Sequence, residues 1–144
     1  MGPQGRVLVV DDEPAIRALV AKIVERAGLT VDTARDGADA IAQIEAHPYA
    51  VVVVDLMMPN VDGYGLIDFL KHRGGTKPAI IVVSAGDAAS LRQLDGSVVH
   101  SIVRKPFDID VLGDLINAAA RSGQAESAQV ADVLQFHRRE GEVC

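Results

Sequence analysis

Four kinds of polar side chain stand in this 144-residue chain where apolar runs end. Asp11, Asp12 and Glu13 follow the run 7–10, and Asp55 follows 51–54. Ser84 follows 80–83, and Arg104 and Lys105 follow the interrupted run 98–103. Two carboxylates held ~4 Å apart repel by about 4 kcal/mol at an effective dielectric of 20. Three clustered acids therefore require a shared proton or a bound cation. Carboxylates, water and backbone carbonyls suit Mg²⁺, a hard ion that keeps several waters and bridges to phosphate. Lys105 adds an ammonium that meets phosphate as a point charge, and Ser84 adds a neutral hydroxyl donor. A nucleophilic carboxylate, a metal site, an ammonium and a hydroxyl together describe a phosphoryl-transfer site. Taken singly, each residue has a plainer reading. Asp12 is also a cap for a helix starting near Pro14, and Asp55 a strand-terminating residue. Ser84 and Lys105 alone say little. What carries weight is that all of them fall at strand ends.

The elements that must position them are of two alternating kinds. The runs 7–10, 51–54, 80–83 and 98–103 are short, continuous and rich in β-branched residues, as strands are when both faces are covered by helices. The segment 30–34 carries Asp32 between Val31 and Thr33, which predicts an edge strand. Between the strands runs helical spacing. Ile16, Leu19, Val20, Ile23 and Val24 form one apolar face, with Arg17, Lys22, Glu25 and Arg26 off it and Gly28 as the stop. Ala38, Ile41, Ala42 and Ile44 predict a second helix ending before Pro48. Leu66, Ile67, Phe69 and Leu70 predict a third, ended at Gly74–Gly75 after the turn residues Asp62–Gly63. A short, weakly apolar fourth spans 88–94. In a fifth, Asp108 is the N-cap, Phe107 staples onto Leu112, and Leu115, Ile116 and Ala119 continue the buried face. Five βα units of this kind predict an open, doubly wound parallel α/β sheet with helices on both faces. In such sheets ligands bind at the carboxyl ends of the strands, which is where the polar set falls.

Composition excludes other classes. The net charge is −6 and the domain and its tail are both acidic, so direct nucleic-acid binding is not expected. Two tyrosines, three phenylalanines and no tryptophan offer no stacking surface for bases. No apolar run reaches the ~20 residues needed to span a bilayer. Residues 1–5 lack the pattern of a secretory leader, and a cytoplasmic protein is expected. Cys144 is the only cysteine, which excludes an internal disulfide and a Cys-based zinc site. The four histidines have no ligand spacing.

VLVVDDEP at 7–14, VVVVDLMMPNVDG at 51–63, VSA at 83–85 and RKPF at 104–107 resemble the receiver domain of bacterial two-component response regulators, the CheY-like superfamily. The likeness runs from about Arg6 to Arg121. It implies a flavodoxin-like strand order 2-1-3-4-5 over a receiver domain at 6–121; outside it, residues 1–5 read as a flexible N-terminus, and 122–144 read from SGQAES and from Val130, Val133 and Leu134 as a linker or partly helical tail. The likeness implies Asp55 as phosphoacceptor, taking its phosphoryl group from a sensor histidine kinase or phosphotransfer protein. It implies that Asp11 and Asp12 organise Mg²⁺ (or Mn²⁺), with Asp12, Asp55 and the Met57 carbonyl as direct ligands. Lys105 pairs with one phosphoryl oxygen in this reading, Ser84 hydrogen-bonds another, and the Lys105–Pro106 peptide is cis. Glu13 favours the helix N-terminus electrostatically rather than binding metal.

One position departs from the family. Relatives commonly carry Tyr or Phe three residues before the lysine, and here that residue is Ile102, which has no ring to swing. Output is then expected through the backbone at 84–89 and the weak fourth helix. The downstream partner would be a separate protein target or a fused output domain. The face made by the fourth helix, fifth strand and fifth helix would bind it or form a homodimer. Two rivals remain. Haloacid-dehalogenase-like phosphatases share an aspartyl nucleophile, Mg²⁺, a hydroxyl and a lysine, but their second aspartate, two residues after the nucleophile, is Met57 here. A receiver-shaped docking module that is never phosphorylated would retain its crowded carboxylates at a stability cost for no gain.

Overall fold

The structure, a computed structural model, describes residues 5–56, 62–75, 77–85, 91, 94 and 96–121. Strand β1 (Arg6–Val10) leads to helix α1 (Pro14–Arg26), β2 (Thr30–Ala34), α2 (Gly37–Ala46), β3 (Val51–Asp55), α3 (Gly63–His72), β4 (Ala79–Ser84) and β5 (Val99–Arg104). A last helix spans 109–121. The five strands are parallel in the order β2-β1-β3-β4-β5, the doubly wound order that the likeness implied. The expected fourth helix falls mostly outside the described residues, as do Met57 and the tail.

Alternation along each central strand divides the core in two. Val7, Val9, Val51, Val53, Ile81 and Val83 pack on α1 and the last helix through Val20, Ile23, Val24, Leu112, Ile116 and Ala119. Leu8, Val10, Val52, Val54, Ile80 and Val82 pack on α2 and α3 through Ala40, Ile44, Leu66, Ile67 and Leu70. Each fully buried Val, Leu or Ile contributes about 1.5–3 kcal/mol of transfer free energy, so the sheet centre is the most firmly held part of the molecule.

Three sequence expectations need correction. Leu19 is 37% exposed, because the buried stripe of α1 narrows to Val20, Ile23 and Val24. Ala38 and Ala42 are exposed, and α2 buries Gly37, Ala40 and Ile44, a face rotated from the one expected. Strand β5 starts at Val99, and a register irregularity opposite Ile80/Ile81 makes room for His100. Other signals read from sequence hold. Gly28 takes φ +84 just past α1, and Asp108 Oδ1 accepts the amides of Asp110 and Val111 at 2.8 and 3.1 Å. Edge strand β2 is polar because Asp32 is occupied. Its Oδ2 accepts from Arg6 Nε at 2.8 Å and from the Tyr49 hydroxyl at 2.7 Å.

Candidate functional site

Parallel pairing brings the acids together. Val10 pairs with Val54, so the next residues on each strand, Asp11 and Asp55, emerge side by side at the carboxyl rim. The same alternation turns both toward the face of Val9 and Val53. Asp11 and Asp55 are 4% and 6% exposed, whereas Asp12, one residue further along the loop, is exposed. One carboxylate oxygen from each of Asp11, Asp12 and Asp55 can be chosen so that all three lie within 4.8 Å of one another.

Strands β4 and β5 supply the rest. Ser84 is the last residue of β4 and is buried, and its carbonyl accepts the Lys105 amide at 2.9 Å. That bond carries the β4–β5 pairing one step past Arg104 and delivers Lys105 to the rim. Its Nζ stands 3.5 Å from Asp11 Oδ2 and 3.7 Å from Asp55 Oδ2. The Lys105–Pro106 peptide is cis. One ammonium thus faces two buried carboxylates, with the third acid at the solvent side. Among the described residues the group is net negative and the donors it offers are carboxylate oxygens. That chemistry fits a hard divalent cation such as Mg²⁺ and not a soft one.

Local hydrogen bonds hold the loop after β1. The Asp11 amide donates to Ala34 O at 3.1 Å, and Asp11 Oδ1 accepts the Glu13 amide at 2.9 Å. Glu13, not Asp12, occupies the N-cap position of α1, and its side chain makes no capping bond. Ile102 lies in β5 opposite Val82 and is 43% exposed, away from the acids.

Two residues of the site were missed. Arg17, assigned by spacing to the polar side of α1, turns back so that Nη1 donates to Asp11 O at 2.8 Å. The hint was its place four residues after Glu13, at the end of the helix that faces the acids. Gly63 was read as turn chemistry only. It begins α3, caged by the backbone of Asp55 and Leu56, and its amide donates to Leu56 O at 3.0 Å. Asp62 caps that helix through Gly65 N at 3.0 Å.

With this geometry in hand, comparison with known proteins settles the family. Residues 7–117 match the response regulator receiver domain, and the chain belongs to that family. It is a receiver domain of two-component response regulators, which sets aside the phosphatase alternative. The chain is similar to the transcriptional regulatory protein TcrA of Mycobacterium tuberculosis, at 34% identity over 119 residues covering 82% of this chain and 47% of that protein. It is also similar to the sensor histidine kinase RcsC of Salmonella typhimurium, at 35% identity over 106 residues covering 74% of this chain and 11% of that protein. The chain therefore spans about half the length of the first relative and a small part of the second. Among solved structures it resembles the response regulator TrrA of Thermotoga maritima in complex with Mg²⁺ and BeF. There the TM-score is 0.71 and the identity 28%, over 79% of this chain and 97% of that one. Among the described residues no helix is long and apolar enough to cross a membrane.

Proposed function

We propose that this receiver, residues 6–121, is a phosphorylation switch in which Asp55 accepts a phosphoryl group from the phosphohistidine of a sensor kinase or phosphotransfer protein. The observation that carries the reading is the position of Asp55, a buried carboxylate 3.7 Å from Lys105 Nζ within the acidic trio. In the transfer the donor's P–N bond breaks as a P–O bond forms to an Asp55 carboxylate oxygen, giving an acyl phosphate. Asp11, Asp12 and Asp55, with the Met57 carbonyl, would hold Mg²⁺ or Mn²⁺, and the ion when bound would neutralise carboxylate and phosphoryl charge. Lys105 then shifts its partnership from carboxylate to phosphoryl oxygen, and the Ser84 hydroxyl donates to another. The chain assists its own phosphorylation and dephosphorylation and is itself the group that is modified. Met57 in place of a proton-transferring aspartate keeps hydrolysis slow enough for a signal.

Phosphorylation adds about one negative charge and strong acceptor oxygens at the rim, which recruit Lys105 and Ser84. Because Ile102 has no ring to rotate, the change passes through the backbone of 84–103 to the face formed by the expected fourth helix at 88–94, β5 and the last helix. That face binds a downstream protein or a fused output domain, or pairs two copies, in the cytoplasm. The first test is labelling by acetyl phosphate with Mg²⁺, read by intact mass. The parent chain gains one phosphoryl group and Asp55→Ala gains none. Equal labelling of Asp55→Ala would refute the assignment. Beryllofluoride should move backbone amide resonances between Ser84 and Val103, and an unchanged spectrum there removes the proposed route.

A further inference from the structure

Asp12 is the exposed member of the acidic trio, and its carboxylate has no hydrogen bond or ion pair to a described residue. Its position near Asp11 and Asp55 is therefore set by its main chain alone. That main chain is tied from three sides at Asp11. The Asp11 amide donates to Ala34 O at 3.1 Å, Oδ1 accepts the Glu13 amide at 2.9 Å, and the carbonyl accepts Arg17 Nη1 at 2.8 Å. The Asp11 carbonyl and the Asp12 amide belong to one planar peptide, so a tie on the carbonyl fixes the direction in which the chain enters Asp12. Arg17 sits in the opening turn of α1, where its amide donates to Glu13 O at 2.9 Å. Its guanidinium, bonded to the Asp11 carbonyl, is a charge-assisted tie between helix and loop.

We propose that Arg17 is a positioning residue for the cation site. It fixes the Asp11–Asp12 peptide so that the Asp12 carboxylate is presented to a divalent ion beside Asp11 and Asp55. The proposal rests on the functional reading above and deepens it. Two effects of the guanidinium oppose each other. Its positive charge near three carboxylates repels an incoming cation, and its clamp spares the ion the work of ordering the loop. Arg17 donates to a main-chain carbonyl, not to a carboxylate, so it leaves the ligand oxygens available, and the clamp should dominate. The sign of the effect separates the two. Removing a purely electrostatic competitor tightens Mg²⁺ binding, whereas removing a clamp weakens it.

The experiment is calorimetric titration of Mg²⁺ alone into the full 144-residue chain, its Arg17→Met variant and its Arg17→Lys variant. Arg17→Met should bind Mg²⁺ about tenfold more weakly, the scale of losing an outer partner of a metal ligand. Arg17→Lys, which keeps a donor and the charge but not the planar fork, should fall between the two. In the metal-free protein, hydrogen exchange at the Glu13 amide should quicken in Arg17→Met. Acetyl-phosphate labelling of Asp55 should return to the parental rate once Mg²⁺ is saturating, a recovery that general loss of structure would not give. Mg²⁺ binding by Arg17→Met that equals or exceeds the parent's overturns the proposal. If Arg17→Met fails to fold, Arg17→Lys decides: weaker binding supports the clamp, and equal or tighter binding overturns it. A parent chain that binds Mg²⁺ and is labelled, beside an Arg17→Met chain that matches it, sinks only the role of Arg17. A parent chain that is never labelled sinks the functional reading itself.

Discussion

Gly63 meets the main chain of Leu56 so closely that a Cβ added there would lie 2.5 Å from the Leu56 Cα and 2.6 Å from the Asp55 carbonyl oxygen. Both obstacles are backbone, so neither can rotate away. The start of α3 is thereby pressed against the Asp55–Leu56 main chain, which braces Asp55 from this side. Gly63→Ala should cost about 1–3 kcal/mol in urea unfolding, the usual penalty of overpacking. Unchanged stability would mean that α3 can retreat freely, and that Asp55 is not braced from this side.

Lys105 offsets two buried carboxylates in the metal-free molecule. Lys105→Met removes the ammonium that stands 3.5 Å from Asp11 Oδ2 and 3.7 Å from Asp55 Oδ2. Removing one partner of a fully buried pair costs about 3–5 kcal/mol. Lys105 keeps some solvent contact, at 20% side-chain exposure, so about 1–3 kcal/mol is expected here. Urea unfolding in the presence of a chelator measures this, and added Mg²⁺ should restore most of the loss. Labelling of Asp55 should slow even with Mg²⁺ saturating, since the phosphoryl group loses its ammonium.

A cation that binds only the folded chain must stabilise it. At a Mg²⁺ concentration one hundred times its dissociation constant the gain is about 2.7 kcal/mol. The thermal midpoint should therefore rise with Mg²⁺ and fall back when a chelator is added. Asp12→Ala should show almost none of this rise while its metal-free midpoint stays at or above the parent's, because one of three crowded charges is gone. A rise of equal size in Asp12→Ala would place the ion elsewhere.

The Asp32 carboxyl titrates below its ordinary value of 3.8. Burial is the largest influence and pushes it up. The Tyr49 and Arg6 hydrogen bonds, with the charges of Arg6 and His47, outweigh it together. A carboxyl depressed by folding contributes stability above its unfolded value and loses it as the pH falls through the folded one. Tyr49→Phe should cost about 1–2 kcal/mol at neutral pH, toward the lower end for a bond to a charged group because the site is partly solvated. The gap between Tyr49→Phe and the parent should narrow below about pH 4. On the alkaline side burial, followed by the Asp32 bond, raises the Tyr49 hydroxyl above its ordinary value of 10.0. Its contribution is present below that value and lost only well above it, so the gap should persist through pH 9. Matching pH profiles for the two proteins would show that the bond carries no stability.

Much of the site was legible because continuous β-branched runs and the polar residues that end them are local facts. Val7–Val10 and Val51–Val54 announce buried strands, and residues that terminate buried parallel strands must meet at one rim. Asp11, Asp12, Asp55, Ser84 and Lys105 followed from that. Leu19 was misread because its hydropathy says nothing about where the neighbouring helix ends, and only packing decides how wide a buried stripe becomes. Ile102 was seen to depart from its family, yet its 43% exposure goes with its place on the edge strand β5.

The sequence by itself determined the layered α/β architecture, the acidic character of the pocket and the residues that reach it, since these depend on residue type and spacing along the chain. Tertiary structure alone decided that Lys105 spans Asp11 and Asp55, that Arg17 grips the Asp11 carbonyl, that Gly63 lies against Leu56, and that Asp32 is matched by Arg6 and Tyr49. Each of these joins groups from different elements. Their distances are set by strand register and helix placement, which no local pattern encodes.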